Sequence, residues 1–126
     1  MNQEIWTIGE LARTFGITTR AIRFYEDEGL LHPERDGQTR IYRPRDRVRL
    51  KLILRGKRLG FSLSESRELI NMYSPDADNR DQLEALLDKI DDRRRQLEQQ
   101  KRDIAAMESE LNEVEQRCRD ALAERA

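Results

Sequence analysis

Thr7-Ile8-Gly9-Glu10-Leu11-Ala12-Arg13-Thr14-Phe15-Gly16-Ile17-Thr18-Thr19-Arg20-Ala21-Ile22-Arg23-Phe24-Tyr25-Glu26 is the stretch that decides the fold. Thr7 and Glu10 have the spacing of a capping box, and Trp6 and Leu11 are placed as a hydrophobic staple across it. A helix therefore starts after Thr7, with Ile8, Leu11, Ala12 and Phe15 on one face and Gly16 as its left-handed stop. Thr18 caps a second helix that Gly29 ends, and Ile17 with Ile22 repeats the staple. Two short helices joined by so tight a turn read as a helix-turn-helix. The second helix should bury Ala21, Ile22 and part of Tyr25, leaving Thr19, Arg20, Arg23 and Phe24 outward. A basic and polar face carrying an aromatic suits the major groove of a duplex.

Outward from that core comes His32-Pro33-Glu34-Arg35-Asp36-Gly37-Gln38-Thr39-Arg40-Ile41-Tyr42. Asp36-Gly37 signals a two-residue hairpin turn, so this segment should form a wing. Thr39 and Ile41 are expected to face the helices, with Gln38, Arg40 and Tyr42 presenting donors on the other side. Pro44 suits the first turn of a third helix, in which Val48, Leu52, Ile53 and Leu59 supply apolar contacts before Gly60 closes it. Of the cations on it, Arg47, Arg49 and Arg58 read as solvated or locally paired. Ser62 and Glu65 form a second capping box, and a fourth helix runs to Ser74-Pro75.

From about Asn79 onward neither Gly nor Pro occurs, and Leu83, Ile90, Leu97, Ile104, Leu111 and Cys118 recur every seven residues. Their companions three residues on are Leu86, Arg93, Gln100, Met107, Val114 and Ala121, a coiled-coil seam interrupted at its middle. Asp91 with Arg95, Glu98 with Arg102, Glu113 with Arg117 and Glu115 with Arg119 are spaced as acid-first i,i+4 pairs. A helix of some 43 residues extends roughly 65 Å, too long for any core this chain builds. Its single apolar stripe needs a partner, and a second copy is favoured over a helix hairpin because no turn signal interrupts it. Domains are expected at 1–74 and 75–126.

Charge follows the same division. The 126 residues carry 24 basic and 25 acidic side chains, net −1, but residues 1–60 hold 13 basic and 8 acidic ones. A basic half joined to an acidic half suggests a polyanion for one end only. A mean hydropathy of −0.92 leaves no run of about 18 apolar residues for a membrane span. The N-terminus, with Glu4 and no apolar run, lacks the pattern of a signal peptide, so a cytoplasmic location is expected. One cysteine, Cys118, and one histidine, His32, exclude an internal disulfide and offer too few ligands for a zinc or iron-sulfur site. Neither a nucleophile arrangement nor a phosphate-cradling glycine loop appears, so no enzyme, metal or cofactor is expected.

Taken together, Thr7–Ala12, Thr19–Glu26 through Gly29-Leu30-Leu31, Arg40-Ile41-Tyr42 and Leu59-Gly60-Phe61-Ser62-Leu63 resemble the MerR family of bacterial transcription regulators. The resemblance implies a mainly α fold: a winged helix-turn-helix domain with a small β-hairpin wing, then a long antiparallel coiled-coil dimerisation helix. It implies DNA contacts by Thr19, Arg20, Arg23, Phe24 and Tyr25 of the recognition helix, by Gln38, Arg40 and Tyr42 of the wing, and by Lys57. For Tyr25 the residues alone leave core and contact open. The dimer seam would comprise Leu83, Ile90, Leu97, Ile104, Met107, Leu111, Val114 and Cys118.

By the same resemblance the partners are double-stranded DNA, a second copy and RNA polymerase at the same promoter, whose over-long spacer the regulator distorts. Metal-sensing members place a Cys at the start of the dimer helix and further ligands beyond its end. Here Ser74-Pro75-Asp76-Ala77-Asp78-Asn79 starts it and the chain stops at Ala126, so a soft-metal signal is not expected. Cys118 reads as a small apolar seam residue. Arg55–Leu63 with Ala21–Glu26 resembles the subgroup controlling leucine, isovalerate and acyl-CoA catabolism, and the residues leave open whether a small-molecule inducer acts and which one. An architectural, excisionase-like DNA-bending protein is the alternative, and an adaptor using the coiled coil for another protein is a further one.

Overall fold

A computed structural model describes residues 4–125. Met1–Gln3, part of the stretch read for a signal peptide, lie outside the described residues, as does Ala126. The order of elements is α1 (Ile8–Phe15), α2 (Thr19–Asp27), β1 (Glu34–Asp36), β2 (Thr39–Ile41), α3 (Pro44–Leu59), α4 (Leu63–Met72) and α5 (Arg80–Glu124). The fold is mainly helical with one antiparallel hairpin, as expected from the residues. It divides into two compact units, the first running through Leu86 and the second from Leu87.

In the first unit the caps act where their chemistry predicts. Thr7 Oγ1 accepts from the Glu10 amide while Glu10 Oε1 accepts from the Thr7 amide, each at 3.1 Å. Ser62 and Glu65 repeat the exchange at the start of α4, at 3.1 and 2.9 Å. Thr18 Oγ1 accepts from the Ala21 amide at 3.1 Å, and Gly16 closes α1 with φ 66°. With their ends satisfied, the short helices bury Leu11, Ile22, Leu30, Leu31, Leu50, Ile53 and Ile70 in one core. Each apolar side chain so enclosed contributes about 1.5–3 kcal/mol. In α3 the centre of that packing is Leu50 with Ile53, whereas Leu59, expected to be a contact, is exposed.

The wing differs from the expected arrangement by one residue. Asp36 pairs with Thr39, so the turn is Gly37-Gln38 and Asp36 belongs to the strand. Among the described residues of the hairpin only Gly37, at φ 64°, has a positive φ. That is the requirement of a type II′ turn, with glycine first. The faces do not divide as expected: Tyr42 is fully enclosed and Arg40 is half-buried, while Thr39 is exposed and Ile41 half-buried. The cause is long-range. Trp6 and Tyr42 exchange backbone hydrogen bonds at 2.8 and 2.9 Å, and this bridge places Tyr42 in the core. Alternation then turns Arg40 inward too.

The residues between α4 and α5 belong to the first unit. Asn79, at φ 58°, closes the turn before α5: its Oδ1 accepts from the Ser74 amide at 2.7 Å, and its Nδ2 donates to the Ser74 and Ala77 carbonyls at 2.8 and 3.0 Å. Asparagine is among the few residues that take this conformation readily. Gln82 Nε2 then donates to the Leu69 carbonyl at 2.9 Å, tying the first turn of α5 to α4.

The second unit is helix alone, with no buried residue among those described. Leu97, Ile104, Met107, Leu111 and Val114 are all exposed along it, as is Cys118. Glu113–Arg117 and Glu115–Arg119 pair as spaced, at 3.8 and 3.2 Å. The other two pairs shift: Arg95 takes Asp92, Glu98 takes Lys101, and Arg102 takes Gln99. Side chains three apart are helix neighbours as near as those four apart, so either partner can be taken.

Candidate nucleic-acid interface

Helix α2 buries Ile22 and Tyr25, and this orientation presents Arg20, Arg23 and Phe24 at i, i+3 and i+4. Arg23 Nη2 donates to Thr19 Oγ1 at 3.2 Å, which lays the guanidinium along the helix surface. Phe24 is 48% exposed, unusual for so large an apolar ring, and packs against Tyr25 with centroids 5.6 Å apart. Beside this face lies a mostly apolar concavity of about 550 Å³, lined by Arg20, Phe24, Ile53, Lys57 and Phe61 among others. It brings Lys57, near the end of α3, to the same place as the recognition-helix residues.

Several other cations of the unit are engaged. Arg49 donates from Nε to the Leu30 carbonyl at 2.7 Å, and burial lowers its pKa. Arg43 pairs with Glu34 at 2.9 Å, Arg67 with Glu28 at 3.3 Å, and Arg47 stacks over Trp6 at 5.5 Å. Arg49 thus pairs locally, as expected of it. Like Arg13, Arg45, Lys51, Arg55 and Arg58, neither Arg20 nor Lys57 makes a hydrogen bond or ion pair among the described residues. Both are exposed. A cation without an internal partner gives up least when it meets a phosphate.

Two tyrosines expected at this surface are buried. Tyr25 is 6% exposed, and it also lines the concavity beside Arg20, Phe24 and Lys57, so its ring packs in the core at the edge of this surface. Tyr42 has no exposed surface, and burial raises its phenol pKa to about 12. The expectation that Tyr42 presents a donor outward is therefore corrected. Gln38 stands exposed at the wing tip. Arg40 is held by Glu26 of α2, with its Nε 2.7 Å from Glu26 Oε2, and this bond raises its pKa. Glu26 was not anticipated as part of the site, although its one-turn spacing from Arg23 on α2 placed it near the recognition face.

The winged helix-turn-helix with this cationic and aromatic helix face defines a DNA-binding transcription regulator. The model of the MerR HTH family regulatory proteins matches residues 6–73, and a second, described as MerR, DNA binding, matches 47–114. The chain belongs to the MerR family. It is 37% identical to the HTH-type transcriptional regulator HmrR of Rhizobium leguminosarum bv. viciae, over 77% of this chain and 79% of that one. It is 36% identical to the mercuric resistance operon regulatory protein of Shigella flexneri, over 93% and 79%. Among solved structures it is similar to HiNmlR, a MerR family regulator lacking the sensor domain and bound to promoter DNA. There the TM-score is 0.59 and the identity 26%, over 78% of this chain and 76% of that one.

Proposed function

We propose that the protein binds a near-palindromic promoter site as a homodimer and regulates transcription by distorting the DNA between its half-sites. The observation that carries this reading is the convergence of Arg20, Phe24 and Lys57 on one concavity beside the outward Arg23. Arg23, Arg20, Thr19 and Phe24 take base edges and adjacent phosphates in the major groove. Lys57 and the wing, with Gln38 at its tip, take backbone. The apolar stripe from Leu97 to Val114, exposed in the single chain, supports pairing with a second copy. In the antiparallel arrangement that the family resemblance implies, Leu83, Ile90, Leu97, Ile104, Met107, Leu111, Val114 and Cys118 form the seam. RNA polymerase is the third partner, on a promoter whose elements are realigned by bending.

For the signal, we propose a small organic inducer and control of branched-chain amino acid or acyl-CoA catabolism genes. The resemblance of Arg55–Leu63 and Ala21–Glu26 to that subgroup supports this. So does the chain's single thiol, Cys118, since soft metals favour sites built from several thiolates.

Recovery of bound DNA across the genome, followed by transcription from the strongest promoter, tests the reading. Two protected half-sites are expected, and deleting one or two base pairs from the spacer should make transcription independent of the protein. A shortened promoter that still requires it overturns the distortion mechanism, and protection of a single half-site overturns the dimer.

A further inference from the structure

Arg35 and Arg40 face each other across the wing, one on each strand, as directly opposed residues of the hairpin. Opposed side chains on one face have β-carbons about 4.5–5.5 Å apart, and like charges there destabilise the pairing. One carboxylate resolves the conflict. Glu26 Oε1 accepts from Arg35 Nη2 at 2.9 Å and Glu26 Oε2 from Arg40 Nε at 2.7 Å. Glu26 belongs to α2, whose preceding turns carry Arg23 and Phe24, so the bridge runs from the recognition helix to both strands of the wing. Its side chain is only 17% exposed. A shared, half-buried carboxylate is screened less than an exposed surface pair and fixes direction as well as distance.

We propose that Glu26 is a positioning residue that sets wing and recognition helix at one mutual orientation, so that both meet the same half-site, while touching no DNA itself. The inference rests on the DNA-binding reading for its functional half only. Removing the carboxylate leaves two facing cations without their common partner, and the wing moves off the helix. A wing free to move still finds phosphates on any duplex, but it no longer meets them in register with Arg23. Discrimination falls while general affinity is kept.

The test uses the full chain as Glu26→Gln, Arg35→Gln and the double variant. The preference for cognate over random duplex should fall about tenfold in Glu26→Gln, with the slope of affinity against salt undiminished. Loss of a phosphate contact would instead flatten that slope by about one. Because the double variant lacks the opposed cation, it should recover part of the preference. In the free protein, amide exchange over residues 34–41 should quicken about tenfold in Glu26→Gln and slow again in the double variant. Unchanged exchange together with unchanged preference overturns the proposal, as does a double variant no better than Glu26→Gln. If the unmodified chain discriminates no duplex, the DNA-binding reading fails, and the exchange measurement still decides whether Glu26 docks the wing.

Discussion

Gly56 of α3 lies so close to Ser66 of α4 that a β-carbon at Gly56 would collide with Ser66 Oγ. Both residues are buried, and Phe61 of the connecting turn packs beside them. The contact sets the separation of the two helices. Lys57, which follows Gly56, is placed by it. Gly56→Ala should cost about 1–3 kcal/mol by overpacking, and Gly56→Ala with Ser66→Ala should recover most of this, because the colliding oxygen is gone. Denaturant unfolding of the two variants measures the coupling, and equal losses would show that the approach is not limiting.

Tyr42→Phe separates core from contact. The phenol oxygen is buried with no hydrogen-bond partner among the described residues, and an unsatisfied buried hydroxyl costs about 1–3 kcal/mol. The phenylalanine variant should be at least as stable as the parent, by up to about 1 kcal/mol more, with unchanged DNA affinity. The raised pKa adds a pH signature. Ionisation takes nothing from the fold below the unfolded value of about 10, and it favours the unfolded chain increasingly as pH rises from there through the folded value of about 12. The parent should therefore lose stability relative to Tyr42→Phe across that alkaline window. A variant that weakens DNA binding would return Tyr42 to the interface.

Arg23 and Lys57 should fail in different ways. Arg23→Ala is expected to lose about 1–3 kcal/mol of preference for its cognate site, and Lys57→Ala to weaken every site alike and reduce the salt slope by about one. Competition titrations at several salt concentrations distinguish them. Equal loss on all sequences for Arg23→Ala would make it a phosphate contact.

Ile104→Glu places a charge on the proposed seam, where Ile104 is half exposed in the single chain. Dimer dissociation should rise by more than about a hundredfold, about 3 kcal/mol, while Gln116→Glu, off the seam, has little effect. Sedimentation equilibrium reads the difference, and an unmoved association constant for Ile104→Glu would show that the stripe does not mediate pairing.

What was legible in the sequence was what short-range chemistry decides. Thr7 with Glu10, Thr18, and Ser62 with Glu65 each satisfy amides within a single turn, so the helix starts followed from residue type and spacing alone. The seven-residue repeat of α5 was legible for the same reason. The wing was misread because its parity is imposed by Trp6, distant in sequence and carrying no local mark of its pairing with Tyr42. Asp36-Gly37 signalled a turn correctly and its frame wrongly, since one glycine, rather than the pair, takes the positive φ. Glu26 escaped notice because its meaning depends on two arginines that only the folded hairpin brings together.

Trp6 is the single tryptophan of the chain, and it bridges to the end of the wing beneath the Arg47 guanidinium. The protein therefore carries an intrinsic fluorophore at the base of the wing proposed to meet DNA, with a cation 5.5 Å from its ring centre. Ultraviolet emission reports the base of the wing without any attached dye, and one optical signal follows its seating through titration with duplex or ligand.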